Sequence, residues 1–187
     1  MTKCKQLIIV GGTGRNVGKT EFVCKLIEKI ASQMPVYALK VSAIFPDEEL
    51  FHGTHSEDEP DLHLFEETRV STEKDTSRML RAGAIKVFYL RSDDARIHAG
   101  FVEFMKYVPE QAVVVCESNS LGQFVMPALS VVVKSVSGPI KPRAVAQLES
   151  ADLVVVSDGV SGFPELASIG FSEKEGWELH SKTEPGF

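Results

Sequence analysis

Gly18-Lys19-Thr20 is the run with the clearest chemical use. A lysine and a hydroxyl directly behind glycines suit an anion. Small residues let backbone N–H groups turn inward, the lysine reaches terminal phosphates, and the threonine hydroxyl offers a ligand to magnesium. The expected phosphate-binding set is therefore Gly12, Thr13, Gly14, Arg15, Asn16, Val17, Gly18, Lys19 and Thr20. The common phosphate-loop pattern has a glycine five residues before Gly18. Thr13 stands there, and Gly12 lies one place earlier. Out of context, the stretch also reads as an ordinary glycine-rich turn between a strand and a helix.

Three residues further along carry compatible chemistry. Lys40 falls at the end of the second apolar run, Asp75 opens a helical stretch, and Glu117 directly follows the apolar run Ala112–Cys116. Two lysines and a carboxylate on one rim make the charge pattern that a magnesium nucleotide needs. Lys19, Lys40 and Glu117 are the expected catalytic groups, and Thr20, Asp75 and Glu117 the expected magnesium ligands. A carboxylate placed right after Val113-Val114-Val115-Cys116 is an expensive neighbour for a core unless it is used. The plainer alternatives are a solvated loop acid for Glu117, a surface lysine for Lys40 and a helix cap for Asp75.

These side chains need elements that bring them to one place. Leu7-Ile8-Ile9-Val10 reads as a strand, and residues 19–33 as a helix with Phe22, Val23, Leu26, Ile27 and Ile30 on one face, stopped by Pro35. Val36–Val41 is a second strand. A helix over 74–84 ends at Gly83, and Ile85–Leu90 is a third strand. A helix over 94–108 places Ile97, Phe101, Met105 and Val108 on one side. Strands follow at Ala112–Cys116, Leu129–Lys134 and, with a closing turn, Asp152–Gly159, with a helix opened by Pro142 and running to Ser150. Strands that are apolar throughout and separated by helices predict an α/β chain of one domain, a three-layer P-loop NTPase fold whose mostly parallel central sheet carries helices on both faces. Ligands of such sheets sit at the carboxyl ends of the strands. The phosphate loop, Lys40, Glu117-Ser118-Asn119 and Ser157-Asp158 all fall there.

Residues 42–73 break this rhythm. They show no sustained period, and within 47–73 ten acids face the single base Arg69, a local charge of −9 in a chain of net −6. The remainder is thus mildly basic at +3, without the basic face that nucleic acid needs. The segment is expected to be an acidic flap beside the nucleotide. Its His52, His55 and His63 invite a metal reading, but nothing fixes their geometry, and solvated loop histidines are the favoured reading. Cys4, Cys24 and Cys116 form no CxxC pair and read as structural thiols. Residues 163–187 are expected to hold one short helix and a frayed tail. With no long apolar run and no secretory leader, the expected location is cytoplasmic, away from membranes.

The assembled pattern resembles the SIMIBI class of P-loop NTPases and, more narrowly, the molybdopterin-guanine dinucleotide biosynthesis protein B (MobB) family. The resemblance spans roughly residues 5–158 and rests on the phosphate loop, on Leu39-Lys40 and on Lys74-Asp75-Thr76-Ser77 followed by Arg81-Ala82-Gly83-Ala84. Val114-Val115-Cys116-Glu117 and Val155-Val156-Ser157-Asp158 complete it. It implies Mg2+, binding and slow hydrolysis of GTP or ATP, and an accessory role in guanylylating molybdopterin beside a nucleotidyl-transferring partner, with a possible homodimer. Where that family has histidines after the strand-two lysine and Glu-Gly after strand four, this chain has Val41-Ser42-Ala43 and Glu117-Ser118. A second resemblance, to dethiobiotin synthetase and the cobyrinic acid amidating enzymes, implies an ATP-dependent ligase using Lys40, Asp75 and Glu117. A nucleotide-dependent adaptor presenting the acidic flap is the third reading. No Asn/Thr-Lys-x-Asp guanine signature is present.

Overall fold

A computed structural model describes residues 3–43, 62–138, 140 and 142–180. The chain is α/β, built on a seven-stranded sheet in which six strands run parallel. β1 (Lys3–Gly12) leads through α1 (Lys19–Ala31) to β2 (Val36–Ala43). Next come β3 (Leu62–Glu67), α2 (Asp75–Arg81), β4 (Lys86–Ser92), α3 (Ile97–Met105) and β5 (Val113–Glu117). β6 (Met126–Ser135), α4 (Pro142–Ser150) and β7 (Leu153–Ser157) complete the sheet, in the order β3-β4-β2-β5-β1-β6-β7.

Alternation along β1 shows why the strands are apolar throughout. Ile8 and Val10 enter a core shared with Phe22, Leu26 and Ile27 of α1 and Met79 of α2. Leu7 and Ile9 enter a second core, on the opposite face, with Ile97, Phe101 and Phe104 of α3. Crossovers that step away from β1 toward β4 use α1 and α2 on the first face, and the return to β5 uses α3 on the second. Right-handed connections require this change of face when the direction of travel reverses.

Two expectations are corrected. Residues 62–67, read as part of a patternless flap, are an edge strand antiparallel to β4. Leu62 and Leu64 alternate toward the second core, while Phe65 is exposed. Only two apolar residues mark the buried face, and the surrounding acids mask them. His52, His55 and most of the acidic segment lie outside the described residues. The C-terminal stretch holds a 3-10 turn, Pro164–Ser168, and then a hairpin, β8 (Ile169–Ser172) and β9 (Gly176–Leu179). Of the stretch 163–187, expected to hold one short helix and a frayed tail, residues 181–187 lie outside the described residues. Trp177 is buried in the first core, and its Nε1 donates to the Gln6 carbonyl at 2.7 Å. Lys29 of α1 donates to the carbonyls of Leu166 and Ile169, each at 2.6 Å, tying the hairpin to the sheet's first layer.

Candidate functional site

β5 lies between β1 and β2, so the carboxyl ends of these three strands are neighbours. From β1 the chain leaves over the first face into α1. From β5 it leaves toward the second, where Leu121 and Val125 are buried. Such a divergence opens a crevice at the strand ends. Register then fixes the side chains. Glu117 pairs with Val10 on one side and with Lys40 on the other. Val113 and Val115 face the first core, so Glu117 shares their face, and the same alternation from Val36 and Ala38 sends Lys40 there too.

Under the N-terminus of α1 the two side chains meet a third and a fourth. Thr20 Oγ1 donates to Glu117 Oε2 at 2.8 Å. Lys40 Nζ donates to Glu117 Oε1 at 3.1 Å and also bonds the Asp75 carboxylate. Glu117 is 5% exposed and lies within its strand, so it is no solvated loop acid. β2 runs three residues past Lys40, whose side chain is 20% exposed, so it is no surface lysine. Asp75 does not cap α2. Lys74 holds the cap position without a side-chain bond, and Asp75 opens the first turn and points to Lys40. Burial alone would lower the pKa of Lys40, but Glu117 and Asp75 outweigh it and hold the ammonium above the ordinary lysine value.

The glycine loop departs from the common pattern for a structural reason. β1 continues through Gly12, and Thr13 is buried with its N–H bonded to the Val133 carbonyl at 3.1 Å. The glycine that matters is thus Gly12. A Cβ there would come within 2.5 Å of Lys19 Cδ, so its absence lets the lysine stem fold back over the loop, with Nζ 3.4 Å from the Gly14 carbonyl. Asn16 and Gly18 take left-handed backbone (φ 56° and 91°). Gly18 precedes α1 without a capping side chain, and the positive end of the helix opens on the crevice. Arg15 and Asn16 form its exposed lip, while Val17 is buried.

The crevice is a cleft of about 780 Å³. Arg15, Lys19, Lys25, Lys40 and Arg78 line it against Glu21, Asp75 and Glu117, an excess of positive charge that favours a polyanion. Arg78 and Glu21, 2.5 Å apart, clamp α2 to α1 beside it. Neither family models, nor curated proteins, nor solved structures gave a match to this chain.

Other residues prove to have structural parts that the sequence did not reveal. Asn119 Oδ1 accepts the Gly12 N–H at 2.8 Å, and the Asn119 carbonyl accepts from Gln147 of α4. This joins the glycine loop to the end of β5 and to α4. Ser118 Oγ accepts the N–H groups of Ser120 and Leu121 at 3.1 and 2.9 Å, shaping the turn. A Ser-Asn-Ser cluster directly after an apolar strand is the signal that was available. Ser157 lies beneath Gly18, where a Cβ would approach its Oγ to 2.6 Å. Asp158 is occupied with its own turn, accepting from Ser161 and Val160, which hold its pKa at about 2. His63 stacks on Phe65 at 5.4 Å on the edge strand β3.

Among the described residues, no group of three or more His, Cys, Asp or Glu side chains is placed to hold a metal ion. A magnesium site takes only one or two protein ligands when phosphates and waters supply the rest. Thr20 Oγ1 beside Glu117 Oε2 fits that sparse set. The Lys40 ammonium between Glu117 and Asp75 is a cation of the chain's own, seated where two acids converge.

Proposed function

We propose that this chain is a P-loop protein that binds a nucleoside triphosphate, GTP or ATP, together with Mg2+ and hydrolyses it slowly. The observation that carries this reading is the contact of Thr20, Glu117, Lys40 and Asp75, from four different elements, beside the glycine loop and the N-terminus of α1. In this reading the loop's N–H groups and Lys19 hold the β- and γ-phosphates, and Lys40 faces the terminal phosphate. Thr20 and Glu117 would hold magnesium, while Asp75, expected as a third ligand, instead pairs with Lys40. Bound magnesium supplies electrostatic stabilisation of the phosphoryl oxygens. Lys40, restrained by two carboxylates, lends its charge to the phosphate only in part, which accords with slow turnover.

The cellular role in this reading is that of the MobB-like proteins the sequence resembles: assistance to molybdopterin guanylylation in partnership with a nucleotidyl-transferring protein. The decisive measurement is calorimetric titration of the full chain with GTP and with ATP in the presence of Mg2+. Tight binding that disappears in Lys19→Ala, while that variant unfolds at the same urea concentration as the parent, is the expected result. Nucleotide affinity unchanged in Lys19→Ala overturns the reading.

A further inference from the structure

The cleft has a second end that the phosphate chemistry leaves unused. In the sheet, β2 and β5 flank the phosphate loop on one side, and β6 and β7 on the other. The charged cluster of Lys40, Glu117 and Asp75 occupies the first side, and the loop 157–163, following β7, closes the second. That loop is anchored from below. Phe163 is buried and meets Phe22 of α1 edge-on at 5.2 Å, and Ser157 lies under Gly18. At its crest Val160 lines the cleft and is 93% exposed, an apolar side chain held at the rim with no core to enter.

A carboxylate that reads guanine must accept two parallel N–H bonds, one on each oxygen. The only acid in loop 157–163 is Asp158. Its Oδ1 already accepts the N–H groups of Val160 and Ser161 at 2.9 and 2.7 Å, and its Oδ2 accepts from Ser161 Oγ at 2.6 Å. A carboxylate oxygen has about two acceptor sites, so Oδ1 is filled and the fork is closed. Among the described residues, the remaining acids that line the cleft are Glu21, Asp75 and Glu117, which belong to the side of α1, α2 and β5.

We propose that loop 157–163 seats the nucleobase against Val160, and that the site takes guanine and adenine nucleotides alike. This rests on the nucleotide reading above and adds to it the missing base specificity. The base lies on an apolar contact and loop backbone, and among the described residues no side-chain acid is placed to read its edge. A site built to hydrogen-bond one group rejects an analogue lacking it by a factor of about ten thousand or more, and apolar contact discriminates far less.

The test is isothermal titration of the full chain, with Mg2+, against inorganic tripolyphosphate, GTP and ATP. The expected result is binding of all three, with the dissociation constants for GTP and ATP within about tenfold of each other. Val160→Ser, an exposed change that leaves folding intact, is expected to weaken both nucleotides about fivefold, the worth of roughly one methyl group or slightly more, and to leave tripolyphosphate unchanged. Asp158→Asn is expected to leave the GTP-to-ATP ratio where it was. A preference for either base beyond about tenfold, or nucleotide affinities untouched by Val160→Ser, overturns the base seat while the phosphate site stands. Failure of tripolyphosphate and both nucleotides to bind overturns the phosphate site and the base seat together.

Discussion

Lys40 is held by Glu117 at 3.1 Å and by Asp75, and Glu117 is held in turn by Thr20. Replacing the lysine with methionine leaves a buried carboxylate with one hydroxyl donor, a loss of about 1–3 kcal/mol for a buried group left short of partners. The pH dependence of that loss follows from the direction of the shift. The folded-state pKa of Lys40 lies above its ordinary value, so its stabilisation is complete at and below the unfolded lysine value of about 10.4 and is lost as pH rises through the folded pKa. Urea midpoints of the parent and Lys40→Met are therefore expected to differ by a constant amount between about pH 7 and 9 and to converge only above about 10.4. A difference that already shrinks near neutrality contradicts the ion-paired geometry.

At the scale of elements, the C-terminal hairpin carries more weight than its short pattern suggests. Gly176 has φ +85°, and a Cβ there would come within 2.3 Å of the Lys5 carbonyl oxygen. Gly176→Ala is expected to cost about 2 kcal/mol or more through backbone strain and overlap. Trp177→Ala is expected to cost about 3–5 kcal/mol, as large-to-small changes in cores do. Equilibrium urea unfolding measures both, and changes below about 0.5 kcal/mol, the range of surface substitutions, would show the hairpin to be peripheral. The same hairpin marks a limit of sequence reading. The inner parallel strands were legible because burial on both faces makes them continuous apolar runs, and Asp75 and Glu117 were legible as helix-start and strand-end charges, while Lys40, read as ending its strand, lies three residues inside it. β3 was not, since a half-exposed edge strand owes its order to β4, a partner about 25 residues later in the chain. The hairpin was not, because its anchors, Trp177, Ile169 and the Lys29 bonds, join residues more than a hundred positions apart or too few to make a pattern. Asn119 was recognised only by its place after the strand; its bond to Gly12 spans 107 residues and depends on the sheet order. The helix over 94–108 is shorter than its periodicity, Ile97–Met105, because Asp93 accepts the Arg96 N–H at 2.9 Å and sets a turn before it.

For the molecule as a whole, the two cores also protect its thiols. Burial raises the pKa of all three cysteines, Cys24 to about 11 and Cys116 well above the ordinary value. Near neutral pH the Cys24 side chain is therefore held in its unreactive thiol form. Alkylation of Cys24 and Cys116 by a water-soluble maleimide is expected to proceed at the rate of unfolding and to accelerate at the urea midpoint; fast labelling in native buffer would contradict the packing. The sheet order has one more consequence, for the making of the protein. Among the described residues β1 pairs with β5 and β6, so during synthesis this strand waits for partners that lie more than a hundred residues further along the chain. At about 5–20 residues per second, Leu7–Val10 waits roughly 5 to 20 seconds as an unpaired apolar segment. During this interval the segment is exposed to aggregation, and the glycine loop lacks its neighbour until the strand bearing Glu117 docks beside β1.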